Sequence, residues 1–179
     1  FHLVCNGEDE AAITLLRKRK HRPHKPLAIM AKDIEAIKEI CHISQFEECI
    51  LEGNKRPILL LDKRESFLLP YEIAPDTKKV GVFLPYTPLH FLLFQEDIRY
   101  LVMTSGNISN SPIQYKNNEA AMALGSVADY FLVSNRDIYT PVDDSVIRVV
   151  EGQEMVVRAG RGYSPLIIKM ETKRDILAL

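Results

Sequence analysis

Tyr100-Leu101-Val102-Met103-Thr104-Ser105-Gly106-Asn107-Ile108-Ser109-Asn110-Ser111 changes character partway along. Its first residues, bulky and apolar through Met103, read as a buried strand. The rest is a run of hydroxyl and amide side chains around Gly106. In open α/β sheets, ligands sit beyond the carboxyl ends of strands. Small polar side chains there suit phosphate or ribose oxygens, with Gly106 allowing close backbone approach. A plain Asn/Ser/Gly turn accounts for the same composition, so this stretch alone leaves both readings open.

Upstream and downstream, strands and helices alternate. Leu27 to Met30, Ile58 to Leu61, Val80 to Leu84 and Tyr130 to Val133 are short apolar runs that read as strands. Ala12, Leu15 and Leu16 fall at helical spacing between acidic residues 8–10 and a basic run from Arg17, an order that complements the helix dipole, and Pro23 stops the helix. Asp33 caps a second helix with Ile34, Ile37 and Cys41 on one face. Ser44-x-x-Glu47 is a capping box for a third, running to Glu52 before Gly53. Leu89, Leu92 and Leu93 after Pro88, and Asn118 to Leu124 before Gly125, mark two more. Val146–Val150 and Met155–Arg158 flank Glu151-Gly152 as a hairpin. Residues 63–79, with Pro70 and Pro75, form a polar excursion. The class is therefore α/β (α+β) with a mixed sheet.

A chain of 179 residues suits one domain. With 46% apolar and 26% charged residues it is not a disordered chain, and a net charge of −1 excludes bulk electrostatic attraction to nucleic acid or membrane. No apolar run approaches the roughly 20 residues of a membrane span. Cys5, Cys41 and Cys49, odd in number and without CxxC spacing, argue against a disulfide framework or a zinc site, and for a reducing, cytoplasmic setting. The start, Phe1-His2-Leu3-Val4, reads as a cut within a longer chain. Residues 1–170 are expected to form the domain and 171–179 a linker.

Two further stretches bear on chemistry. In Arg17-Lys18-Arg19-Lys20-His21-Arg22-Pro23-His24-Lys25, six of nine residues are Lys or Arg. This is a solvated helix end, a nucleic-acid patch or a polyphosphate site; Lys20 and Arg22 beside Pro23 are placed to act together from a rigid turn. Asp143-Asp144-Ser145, with Arg158 at the far end of the hairpin, suits either strand-end capping or Mg²⁺ accompanying a nucleotide. There is no Walker lysine motif, no nucleophile elbow and no zinc-protease motif. Gly160-Arg161-Gly162 is a weak glycine signal, and His90 reads as structural.

Taken in order, these segments resemble the YrdC-like family, whose signature is a Lys-x-Arg followed later by Ser-x-Asn. Lys20-His21-Arg22 matches the first part, Ser105-Gly106-Asn107 the second, and Arg158 stands where the family has a further basic residue. The tRNA-modifying branch usually carries Arg-x-Pro-x-His-Pro; this chain has Phe83-Leu84-Pro85-Tyr86-Thr87-Pro88 instead. That stretch, with Met103–Asn107, Asp143–Val146 and Arg161-Gly162-Tyr163-Ser164-Pro165, is similar to the HypF branch, the carbamoyltransferases of [NiFe]-hydrogenase maturation.

The resemblance implies a twisted mixed β-sheet with flanking helices and a concave basic face. It implies that carbamate and ATP form carbamoyl-adenylate and pyrophosphate, the carbamoyl group passing later to a cysteine thiol of a HypE-like acceptor protein. Lys20, Arg22, Ser105 and Asn107 are then the expected catalytic residues. Thr87, Ser145 and Arg158 are expected to join them in binding nucleotide, and Asp144 to help hold Mg²⁺. ATP and Mg²⁺ are the expected cofactors, without zinc or membrane contact. The alternatives are a threonylcarbamoyl-adenylate synthase and a double-stranded RNA-binding module, the latter the sole reading with a nucleic-acid partner.

Overall fold

The computed structural model describes residues 1–94, 97–109 and 111–165. The predicted end of the domain at 170 and the linker 171–179 lie outside the described residues. The strands are β1 (His2–Asn6), β2 (Ala28–Ala31), β3 (Cys41–His42), β4 (Ile58–Lys63), β5 (Lys79–Phe83), β6 (Tyr100–Ser105), β7 (Val146–Val150) and β8 (Gln153–Arg158). The helices are α1 (Glu10–Lys20), α2 (Ile34–Ile40), α3 (Gln45–Glu52), α4 (Pro88–Leu93) and α5 (Asn117–Leu124). They form one open mixed sheet in the order β1-β6-β2-β5-β4-β7-β8, with β3 added on β4. The β2–β5 and β4–β7 pairs are parallel and the others antiparallel.

Alternation along the strands divides the apolar residues between two faces. Ile29, Leu59, Leu61, Val80, Val82, Val102 and Ile147 pack with Ile13 and Leu16 of α1, Ile37 and Ile40 of α2, Leu51 of α3 and Leu124 of α5. Burying each such side chain stabilises the fold by about 1.5–3 kcal/mol. On the other face a smaller cluster of Met30, Ile58, Phe83, Phe94, Leu101 and Met103 covers only part of the sheet. There Ala28, Leu60 and Gly81 floor a cavity.

The Asp33 cap and the Ser44–Glu47 box read from the sequence are in place, and the structure adds Asp9 as the cap of α1. Asp9 accepts from Ala12 N, Asp33 from Ala36 N, and Ser44 with Glu47 forms the reciprocal capping box. Two expectations change, and one strand is added. Cys41 starts β3, where it is buried against β4, and does not extend α2. His2–Asn6, given no element in the sequence reading, is an edge strand on β6. Tyr130–Val133 is not a strand: among the described residues it pairs with no edge, and Tyr130 is 93% exposed. An apolar run becomes a strand only where a neighbour supplies its hydrogen bonds. Here the segment stands off β1, with an apolar cavity of about 960 Å³ between them.

Candidate active site

Helix α1 ends at Lys20 because His21 turns left-handed at φ 53°, its N–H donating to the carbonyls of Arg17 and Lys18. That turn sends the basic side chains in different directions, and it is not a solvated helix end. Arg17, buried, gathers the carbonyl oxygens of Arg22, Pro23, Lys25, Glu72 and Ile73 and so fixes the turn. Arg19 pairs with Asp129 at the surface. Lys20 is fully buried and donates to Ser105 O and Asn107 O, each at 2.6 Å, and to Asn107 Oδ1 at 2.8 Å. An ammonium has three hydrogens, and all three are used. Burial, with Arg22 nearby, pulls the Lys20 ammonium down to about 8.

The loop after β6 is thus built on Lys20. Ser105 Oγ donates to Asn107 Oδ1 at 2.7 Å, and Asn107 Nδ2 donates to Ser111 O. Ser109 Oγ returns to Lys20 O at 2.9 Å. The close approach that Gly106 permits is internal: a Cβ there would lie 2.7 Å from Phe1 O, to which Gly106 N donates. Gly106 makes room for Phe1, the residue before β1.

Beside this loop, on the less covered face of the sheet, lies a cavity of about 200 Å³. Arg22, Arg158, Ser105, Thr104, His2 and Asp144 are among the residues that line it. Arg22 is steered by the carbonyls of Lys25 and Pro26. Burial, and then the like charge of Arg158, lower its pKa. Arg158 is itself steered by two bonds to Asp144 O, at 2.9 and 3.1 Å. Two guanidinium groups brought together by backbone carbonyls, above a floor of Ala28 and Gly81, form a site for an anion.

The other expected residues stand outside the cavity lining. Lys20 and Asn107 form the loop behind it. Thr87 caps α4, its Oγ1 accepting from His90 N at 3.3 Å. Ser145 is fully buried: its hydroxyl donates to Arg161 O at 2.9 Å and accepts from Gly160 N at 2.7 Å, holding the segment after β8.

Asp144 is held by three side chains. Its Oδ1 accepts from Arg161 Nε and Nη2 and from Tyr86 OH, and its Oδ2 from His2 Nε2 at 3.0 Å. Burial works to raise its pKa, but His2 and Arg161 outweigh it and hold the carboxyl below its ordinary value. Both oxygens are thus engaged within the protein, one by Arg161 and the Tyr86 phenol and the other by the His2 N–H. Among the described residues no group of three or more His, Cys, Asp or Glu is placed to hold a metal ion.

Sequence reasoning passed over His2, Tyr86 and Arg161 as site residues. Arg161 lies over Tyr86, its guanidinium carbon 3.4 Å from the ring centre, a cation–π contact beside the Asp144 pair. The Gly160-Arg161-Gly162 signal marked the place without giving the role.

An open mixed sheet, helices packed mainly on one face and an arginine-lined cavity on the other define an α/β domain whose cavity suits an anion. The family model Sua5_yciO_yrdC, described as "Telomere recombination", matches residues 1–160. The chain belongs to this family. It is 41% identical over 181 residues, covering 100% of the chain, to "Carbamoyltransferase HypF" of Synechocystis sp.. It spans 24% of that relative's length. A crystal structure of full-length HypF in the phosphate- and nucleotide-bound form superposes with a TM-score of 0.89 at 45% identity, over 92% of this chain and 26% of that one. The P. abyssi Sua5 structure shares the fold at a TM-score of 0.76 and 23% identity, over 89% of this chain and 46% of that one.

Proposed function

We propose that this domain joins carbamate to ATP, forming carbamoyl-adenylate and pyrophosphate, as one step of carbamoyl transfer in [NiFe]-hydrogenase maturation. The observation that carries the reading is the convergence of Arg22 and Arg158 on one cavity beside the Lys20-held loop. The similarity to HypF proteins supports it, and one such relative was crystallised with phosphate and nucleotide bound.

A carbamate oxygen attacks the α-phosphorus of ATP. The bond from that phosphorus to the bridging oxygen breaks, and pyrophosphate leaves with the electron pair. The nucleophile is already an anion, so no protein base is needed; the work is to hold two anions together and to neutralise developing charge. Arg22 and Arg158 do so at the phosphates and carboxylate. Ser105 Oγ lies at the cavity edge for the substrate oxygens, and Lys20 with Asn107 sets the loop that presents it. Thr87 and Ser145 act through the backbone they fix. Mg²⁺ enters with the triphosphate as part of the substrate. A thiolate of a HypE-like acceptor then attacks the carbamoyl carbon elsewhere in the parent protein, and AMP leaves. A cytoplasmic setting accords with Cys5, Cys41 and Cys49 all being free thiols.

The test is pyrophosphate release from Mg-ATP by the chain, with freshly dissolved ammonium carbamate or with threonine and bicarbonate. Release that needs carbamate supports the reading. Release that needs threonine replaces it with threonylcarbamoyl-adenylate synthesis.

A further inference from the structure

The cavity is rich in donors, and carbamate differs from a simple carboxylate in having an amino end that must donate. Asp143 and Asp144 also line the cavity, but their negative charge repels an anion, and the Asp144 oxygens are already engaged. His2 is different. It lies opposite Ser105 in the β1–β6 register, so the two side chains leave the sheet on the same face. Its Nε2 is 3.0 Å from Asp144 Oδ2. An ionised carboxylate only accepts, so Nε2 carries the hydrogen, and in the neutral ring Nδ1 is left as an uncharged acceptor. Among the described residues Nδ1 has no hydrogen-bond partner, and it is not sealed from solvent. The His90 ring, edge-on with centroids 6.4 Å away, stands beside the His2 ring.

We propose that His2 is the residue that reads the amino end of the substrate: Nδ1 accepts an N–H of carbamate while the carboxylate faces Arg22 and Arg158. Asp144 is the positioning residue that sets the tautomer, and Arg161 on Tyr86 in turn holds Asp144. The proposal rests on the adenylation reading above. It makes the site selective for an amino group over a methyl group of the same size and charge. A site built around such a bond rejects the analogue that lacks it, because the acceptor is left unpaired.

Acetate is that analogue. The experiment measures the carbamate KM for pyrophosphate release and the inhibition constant of acetate against carbamate, in the wild-type chain and in His2→Gln. Glutamine keeps a donor toward Asp144 and removes the ring-held Nδ1; its own carbonyl oxygen hangs from a flexible chain that fixes no acceptor at that place. In the wild type, carbamate is expected to bind at least about tenfold tighter than acetate. In His2→Gln the carbamate KM rises by about the same factor while acetate inhibition stays within about twofold. Equal wild-type affinity for the two anions, a result that needs no variant, overturns the proposal. So does an equal weakening of both in His2→Gln, which marks a structural role. If the wild type releases no pyrophosphate with carbamate, the adenylation reading itself falls and this assignment falls with it.

Discussion

Replacing Lys20 by methionine removes the post on which the loop after β6 is built, and the consequence can be worked bond by bond. Three acceptors lose a donor: Ser105 O, Asn107 O and Asn107 Oδ1. Ser105 O keeps the bond from Asn107 N at 2.9 Å, and Asn107 Oδ1 keeps the one from Ser105 Oγ at 2.7 Å. Asn107 O has no other donor among the described residues. One orphaned buried carbonyl costs about 1–3 kcal/mol, and each lost charge-assisted bond roughly 1.5–3 kcal/mol. Methionine recovers part of this, since it no longer buries an ammonium. The net loss is about 2 kcal/mol, read as the urea midpoint by circular dichroism with an unchanged slope. ATP affinity by calorimetry falls at least about tenfold, because Ser105 and the cavity edge lose their support.

The pH dependence is a second arm of that experiment. The folded-state value of Lys20, about 8, lies below its ordinary 10.5. Between these values the unfolded chain holds the proton that the folded chain has released, so stability rises with pH there. The wild-type advantage over Lys20→Met therefore widens from pH 8 toward 10.5. Equal stability and equal ATP affinity at pH 7 would refute the latch, and an advantage flat with pH would refute the lowered lysine.

Two other predictions rest on side chains of the same region. Arg22→Ala and Arg158→Ala each weaken ATP binding by about tenfold or more, with little change in thermal midpoint, as expected for charge-assisted contacts to a ligand; calorimetry and melting read the two effects separately, and unchanged affinity in both contradicts the anion site. His90, buried and pressed edge-on against Tyr86 at 4.4 Å, is held down to about 4 by burial and by His2. As pH falls from 6.5 toward 4 the unfolded histidine takes a proton that the folded one refuses, so stability is lost in that window. His90→Asn is expected to flatten this part of the urea-midpoint profile, and parallel profiles would count against it.

What could be read from the chain was local. The Ser44–Glu47 capping box, Asp33 as a cap and the apolar run from Val80 as a strand each depend on neighbours a few residues away, and each stands in the fold. Lys20, Arg22, Ser105 and Arg158 were identified as residues, but the division of labour among them was not. That Lys20 spends its charge on Ser105 and Asn107 depends on a contact across 85 and more positions. The His2–Asp144 pair spans 142 positions and joins an edge strand to a hairpin, so no spacing rule reaches it. Tyr130–Val133 has a strand's composition, but pairing is a property of the neighbour and cannot be read from the segment.

The central claim is reversible adenylation of carbamate in the cavity between Arg22 and Arg158, and exchange of labelled pyrophosphate into ATP tests it most directly. The account predicts exchange that requires carbamate, is lost in Arg22→Ala, and is not supported by threonine with bicarbonate. Exchange driven by threonine, or none at all from a chain that calorimetry shows to bind both ATP and carbamate, would contradict it.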